Sequence, residues 1–124
     1  MASTVKQMIE AANARVPRVS PAEAKTLIAT HQALVVDVRD APEVAQSGQI
    51  AGSIHVSRGL LEFRADPESP LYDPRFSRER PVIVYCASGG RAALAGKTLK
   101  DLGYEQVFNL GAFKDWPTTD GATT

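Results

Sequence analysis

The sequence predicts an α/β domain with a mainly parallel β-sheet. Apolar runs of the length of buried strands alternate along the chain with segments of helical pattern, which is typical of this class. The clearest run, residues 34–38, is apolar except for its aspartate, as expected for a strand covered by helices on both faces. With 124 residues, 44% apolar and 23% charged, the chain has the size and composition of one globular domain.

The chain is predicted to begin with an amphipathic helix within residues 1–16, because apolar residues recur there at helical spacing. This helix should end before Pro17, since the residue that precedes a proline avoids helical dihedral angles. Residues 18–19 are predicted as a short edge strand. The sequence Ser-Pro-Ala-Glu from Ser20 is a capping box with proline at the first helical position, so a helix is expected over residues 21–30.

Shorter elements are predicted after the strand at residues 34–38. A helix over residues 42–47 should end at Gly48, because glycine accepts the backbone conformation that closes a helix. Residues 54–56 are predicted as the third strand. A helical turn is expected at residues 60–63.

The second half of the chain supplies the last two of five predicted strands, residues 82–85 and 106–110. Between them a helix is expected over residues 90–102, with an apolar stripe on one side and Gly103 at its end. Residues 118–124 are predicted to form a disordered tail.

A proline-rich, charged and aperiodic stretch, the 64–80 segment, separates the two halves. Long irregular loops within a domain are usually functional or mobile. We expect this segment to border the mouth of the active site and to be weakly protected, because it precedes the catalytic strand. A solvated connector without a role is the alternative.

Cys86 is the only cysteine, and it lies where a predicted strand gives way to the turn Cys-Ala-Ser-Gly-Gly-Arg and then to a helix. Gly89 and Gly90 allow successive backbone N–H groups to point into one concavity, to which the helix N-terminus adds partial positive charge. A thiol placed there is expected to ionise readily and to act as a nucleophile. The alternative is a small apolar residue that ends a core strand.

This turn resembles the active-site loop of rhodanese-like sulfurtransferases, in which Cys-x-x-Gly-x-Arg follows a strand. Three further segments match the family in the same order: Asp-Val-Arg at residues 37–39 with Glu43 behind it, the turn at residues 49–54, and the closing turn and tryptophan at residues 109–116. The resemblance implies a three-layer α/β/α domain over residues 17–117, with a mainly parallel five-stranded sheet.

The resemblance also implies a sulfurtransferase, and no cofactor is expected. No metal site is expected either, because His31 and His55 are far apart in the sequence and no second thiol is present. Cys86 would take a sulfane sulfur from an anionic donor of the thiosulfate type, keep it as a persulfide and pass it to cyanide or a thiol. The substrate would be bound by the rest of the turn: Ala87, Ser88, Gly89, Gly90 and Arg91. Ala87 stands where many active members carry arginine or lysine, so this turn has one positive charge fewer.

Three charged residues are assigned to the support of the site: Asp37, Arg39 and Glu43. Arg91 is expected in the first turn of a helix, where its charge opposes the helix dipole, so it should have a specific partner. It would either bind the oxyanion of the donor or pair with Asp37 or Glu43, and we favour the pairing. Arg39 has the same alternatives, with ordinary surface exposure as a third.

Two other classes of protein share parts of this pattern. A cysteine phosphatase or arsenate reductase also places a thiolate in a cradle, but its loop needs five residues between cysteine and arginine, and here only four intervene. A non-catalytic rhodanese-like module for protein interaction or sulfur relay is the other alternative. The intact cysteine argues against it, although a protein persulfide remains open as the donor.

Composition limits the partners and the location. Fourteen basic and fourteen acidic residues cancel, and no basic cluster predicts binding to nucleic acid. The longest apolar stretches are too short to span a bilayer, so no membrane contact is expected. A reactive thiol that has no partner for a disulfide persists best in a reducing compartment, which predicts a cytoplasmic protein.

Overall fold

Four parallel strands form the sheet at the centre of the fold: β1 Leu34–Asp37, β2 Ile54–His55, β3 Val82–Cys86 and β4 Val107–Ala112. Their order across the sheet is β2-β1-β3-β4, and every pairing is parallel. The structure is a computed structural model and describes residues 2–116. The predicted α/β class with a parallel sheet is confirmed.

The edge strand predicted at residues 18–19 is reduced to a single β-bridge at the free edge of β4. Arg18 pairs in parallel with Asn109. The Asn109 N–H donates to the Pro17 carbonyl at 2.9 Å, and the Val19 N–H donates to the Asn109 carbonyl at 3.1 Å. Because proline has no N–H, it cannot extend the ladder toward the amino end. The sheet therefore has four strands and one bridge rather than five strands.

Each predicted helix is present with slightly different bounds: α1 Val5–Arg15, α2 Pro21–His31, α3 Ala41–Ser47, α4 Leu61–Ala65 and α5 Gly90–Asp101. Short 3-10 turns follow β2 at Arg58–Leu60 and β4 at Phe113–Asp115. Within residues 2–116, no helix is long and apolar enough to cross a membrane. The predicted tail, residues 118–124, lies outside the described residues.

Alternate residues of the strands face two different helical layers. In β3, Val84 and Cys86 face the layer that contains α5, whereas Ile83 and Tyr85 face the layer that contains α2. This explains why the strand is apolar along its whole length. The fold is thus the predicted three-layer α/β/α arrangement, and Cys86 lies on the α5 side of the sheet.

Helix α1 lies along α5 and runs in the same direction. At their carboxyl ends, Arg15 and Asp101 form an ion pair at 2.6 Å. At their amino ends, Ile9 contacts Gly90, where a Cβ atom would lie 3.4 Å from the Ile9 Cδ1 atom. The amino-terminal half of α1 is therefore beside the cysteine turn.

Our expectation that the 64–80 segment borders the mouth of the active site is wrong. The Arg78 guanidinium donates to the Leu102 carbonyl at 2.7 and 2.9 Å, and the Arg80 guanidinium donates to the Gln32 carbonyl. These two carbonyls precede β4 and β1. The segment therefore lies at the amino ends of the strands, opposite the cysteine turn.

The same segment contributes to the core. Phe76 is fully buried and meets the Tyr104 ring edge-on, with 6.1 Å between the ring centroids. The Tyr104 hydroxyl donates to the Ala65 carbonyl at 2.6 Å, and the Asp73 N–H donates to the Arg64 carbonyl at 2.8 Å. The segment therefore helps to build the core, which argues against a connector without a role, and its weak protection stays a prediction.

Candidate active site

The cysteine turn connects the carboxyl end of β3 to the amino end of α5. Cys86 is fully buried, whereas Ala87 and Ser88 are exposed. Gly89 has a φ of 105°, in the left-handed region that favours glycine, and its backbone N–H donates to the Cys86 Sγ atom at 2.9 Å. Within residues 2–116, no other group donates a hydrogen bond to Sγ, and the Ser88 hydroxyl in particular does not. The turn thus folds back over the sulfur atom.

Asn109 ties this turn to β4, a role that the sequence analysis missed. Its side-chain amide donates to the Gly89 carbonyl at 3.4 Å and accepts from the Gly111 N–H at 2.7 Å. The side chain is buried. A Cβ atom on Gly89 would lie 3.6 Å from the Gly111 Cα atom. The sequence placed Asn109 in the last strand but carried no signal for its contact with the turn.

Arg91 pairs with Glu43 rather than with Asp37. Its Nη1 and Nη2 atoms donate to the two Glu43 carboxylate oxygens at 2.7 and 2.9 Å. The Asp40 N–H also donates to the Glu43 carboxylate, at 3.0 Å. These contacts lower the pKa of Glu43 to about 2, and the hydrogen bonds from Arg91 have the largest effect. In turn, the Glu43 carboxylate raises the pKa of Arg91. The pair thus links α3 to the first turn of α5.

The Glu43–Arg91 pair should make stability depend on acid. Because the folded-state pKa of Glu43 lies below its ordinary value of 4.5, the pair stabilises the fold above about pH 4.5 and loses this contribution as the pH falls toward 2. Glu43→Gln should therefore lower the free energy of unfolding at neutral pH, by at most about 1 kcal/mol since both side chains are about one-third exposed. Urea unfolding at several pH values should show this difference vanish near about pH 2. If the wild type and Glu43→Gln differ in free energy of unfolding by the same amount at every pH, the ion pair does not stabilise the fold in this way.

Asp37 and Arg39 lie on the α2 side of the sheet, away from the sulfur atom. Arg39 contacts both Asp37 carboxylate oxygens, at 2.6 Å for the closest pair of atoms, and both side chains are buried. The Arg39 guanidinium lies over the Phe113 ring, 4.4 Å from its centroid, and 5.7 Å from that of Tyr85. Hydrogen bonding to Asp37 raises the pKa of Arg39. Surface exposure of Arg39, one of three alternatives, is therefore wrong.

Arg18 places a further cation near the turn, which the sequence analysis also missed. Gly111 has a φ of 92°, and a Cβ atom there would lie 2.3 Å from the Arg18 Nη2 atom. The guanidinium thus occupies space that only a glycine leaves free, next to the strand end that contacts Gly89. Within residues 2–116, no hydrogen bond or ion pair engages this guanidinium. No signal in the sequence indicated this contact, since it depends on the bridge to β4.

The described part of the chain contains no evident metal-binding site. Among residues 2–116, no three or more His, Cys, Asp or Glu side chains are grouped so that they could hold a metal ion. The polar contact recorded for the thiol within these residues is the Gly89 N–H.

Known proteins resemble this chain over most of its length. The human thiosulfate:glutathione sulfurtransferase is 30% identical over 107 residues, which cover 81% of this chain and 92% of that protein. The thiosulfate sulfurtransferase GlpE of Coxiella burnetii is 29% identical over 108 residues, covering 83% and 92%. A solved Rhodopseudomonas palustris protein, described as of unknown function and a possible tyrosine phosphatase, is 35% identical, with a TM-score of 0.85, and covers 98% and 94%.

The family model for the rhodanese-like domain matches residues 20–118. This range includes the sheet, the cysteine turn and the two charged pairs, whereas α1 precedes it. The fold and the named relatives agree with the match. The chain therefore belongs to the rhodanese-like family and is an enzyme of its thiosulfate sulfurtransferase type.

Proposed function

We propose that Cys86 carries a sulfane sulfur, as a persulfide, from a donor of the thiosulfate type to cyanide or a thiol. The observation that supports this most directly is the Gly89 N–H that donates to Sγ at 2.9 Å, at the amino end of α5. An N–H donor and a helix N-terminus stabilise negative charge on sulfur. The thiolate and the persulfide are both anionic, so the same groups serve both forms of the enzyme.

The two half-reactions each break one bond to sulfur. The Cys86 thiolate attacks the outer sulfur of thiosulfate, the bond between the two thiosulfate sulfur atoms breaks, and sulfite leaves with the electron pair. Cyanide or a thiolate then attacks the outer sulfur of the persulfide. The bond to Cys86 breaks, the cysteine leaves as a thiolate, and thiocyanate or a new persulfide is released.

The contacts of Arg91 favour sulfur over phosphate as the transferred group. A loop that binds a tetrahedral oxyanion needs its arginine free to face the anion, but both terminal nitrogens of Arg91 are occupied by Glu43. Only four residues separate Cys86 from Arg91. Cys86 is also fully buried, which favours a slender group such as a terminal sulfur atom. A cysteine phosphatase is thus the weaker hypothesis.

Sulfur relay from a protein persulfide is the second candidate function. The uncharged, exposed Ala87 favours it, because this position of the turn contributes no cation that would attract a small anion. The human relative bears glutathione in its name, and we propose a small thiol of this kind as the acceptor here. A cytoplasmic location stays a prediction.

Intact-mass spectrometry after incubation with thiosulfate tests the persulfide directly. The protein should gain one sulfur atom, and cyanide should remove it. The Cys86→Ser variant, treated in the same way, should gain none. Persistent absence of the added sulfur from the wild type, with thiosulfate and with a protein persulfide as donors, would contradict the proposed chemistry.

The charge at the mouth of the turn should determine how well thiosulfate binds. Ala87→Lys should lower KM for thiosulfate and Arg18→Gln should raise it, each by about two- to fivefold, the effect of one exposed charge. Arg15→Gln removes the same charge at the far end of α1, where Arg15 pairs with Asp101, and serves as the control. KM values that are the same in all four proteins would show that neither position contributes to donor binding.

A further inference from the structure

A cavity of about 360 Å³ lies between α1 and α5, outside the cysteine turn. Its volume is in the range of sites that bind small molecules. Most of its lining comes from the two helices and from the 3-10 turn after β2: Gln7, Met8, Ala11, Arg58, Leu94 and Lys97. Neither the proposed persulfide chemistry nor the two charged pairs of the site use this cavity.

One end of the cavity approaches the cysteine turn. Met8 lines the cavity, and the next residue, Ile9, contacts Gly90 in the turn. On α5, Leu94 lies one helical turn after Gly90, about 6 Å along the helix axis. The Arg58 N–H donates at 3.1 Å to the carbonyl of Val38, whose side chain belongs to the same core cluster as the thiol. The near end of the cavity thus lies about one helical turn from the cysteine turn.

The lining combines an apolar surface with two cations. Met8, Ala11 and Leu94 supply the apolar part, and Arg58 and Lys97 supply the positive charge. Within residues 2–116, no carboxylate lines the cavity. Such a lining suits a ligand that has a carboxylate at one end and an aliphatic stretch behind it.

The side chains of Arg58 and Lys97 are held in place by neighbouring residues but can still bind an anionic ligand. The Arg58 Nη2 atom donates to the Thr98 hydroxyl at 2.9 Å, which fixes the guanidinium against α5. Arg58 also pairs with Glu62 at 2.9 Å, and Lys97 pairs with Asp101 at 3.3 Å. Exposed pairs of this kind contribute about 0–1 kcal/mol, so a ligand carboxylate can share these cations at little cost.

We infer that this cavity is an acceptor site, which binds the carboxylate end of a small anionic thiol while its sulfur reaches Cys86. The inference depends on the proposed function. The bound thiolate attacks the outer sulfur of the persulfide, the bond to Cys86 breaks, the cysteine leaves as a thiolate, and the acceptor leaves as a persulfide. Since α1 lies outside residues 20–118, this site is an addition to the part of the chain that the family model matches.

Acceptor kinetics test the site, with glutathione as the anionic thiol and 2-mercaptoethanol as the uncharged one. Lys97→Gln removes a cation from the lining, and Ala11→Phe fills the cavity. Each substitution should raise KM for glutathione about three- to tenfold. KM for 2-mercaptoethanol, cyanide and thiosulfate should be unchanged. Lys100→Gln is the control, because it removes a charge from α5 outside the cavity lining. Wild-type KM for glutathione in both cavity variants, with wild-type circular dichroism, would overturn the inference.

A binding measurement separates this inference from the proposed function. S-methylglutathione, which cannot accept sulfur, is titrated into Cys86→Ser protein and followed by amide NMR shifts. Shifts grouped on α1 and α5 and reduced by Lys97→Gln would support the site even if no persulfide ever formed. If the wild type transfers sulfur but the analogue shifts no amides on these helices, the site is refuted and the sulfurtransferase mechanism stands.

Discussion

Replacing Cys86 by serine should abolish the transfer of sulfur from thiosulfate to cyanide and leave the fold intact. The chain has no other cysteine that could carry the sulfur, and a serine hydroxyl does not form a persulfide. Loss of a nucleophile that reacts covalently costs about 10³-fold or more in kcat. The Gly89 N–H, which donates to Sγ at 2.9 Å, can donate to the new hydroxyl and should limit the cost of burying it.

Cys86→Ala provides the matched variant, because it removes the sulfur without introducing a buried hydroxyl. Both variants should give a wild-type circular dichroism spectrum, and both should lack thiocyanate formation at any thiosulfate concentration. Transfer near the wild-type rate in either variant would exclude the persulfide mechanism.

Asp37→Asn should destabilise the protein by about 3–5 kcal/mol, as measured by urea unfolding. The Arg39 side chain is only 4% exposed, so its charge would remain buried without a counter-ion. Its other acceptors, the Ser47 hydroxyl and the Gly48 carbonyl, are neutral. The cost arises because a buried charge loses both its partner and access to water.

The chain contains its own control for this substitution. Asp73 and Arg75 repeat the spacing of Asp37 and Arg39, and their closest contact is also 2.6 Å, but the Arg75 side chain is 60% exposed. Asp73→Asn should therefore cost about 1 kcal/mol or less. Equal losses in the two variants would show that burial of the guanidinium does not determine the effect.

The features that depend on neighbouring residues were predictable from the sequence. The capping box from Ser20 to Glu23 fixes the start of α2, and its hydrogen bonds are present at 2.8 and 3.1 Å. The turn that begins at Cys86 was likewise recognised from its glycines and the helix behind it. In both cases the chemistry lies within a few residues, where local conformational preferences determine the structure.

Features that depend on distant residues were not predictable. Arg91 was expected to pair with Asp37 or Glu43, and only the sheet decides between them, because Asp37 points to the α2 side. The 64–80 segment was misplaced for a similar reason. Its position follows from contacts of Arg78 and Arg80 with carbonyls of distant elements, and no periodicity in the segment indicates them.

The pair of Arg91 and Glu43 joins residues 48 positions apart, so the environment of the thiol exists only after long-range contacts have formed. Closing such loops is slow compared with forming a helix, and parallel sheets fold late for this reason. During synthesis or refolding, Cys86 is thus a solvent-exposed thiol, whereas in the folded protein it is fully buried and the Glu43–Arg91 pair anchors α5 to α3. The burial of the thiol is therefore acquired together with the tertiary structure, which makes the accessibility of Cys86 a measure of how far folding has gone.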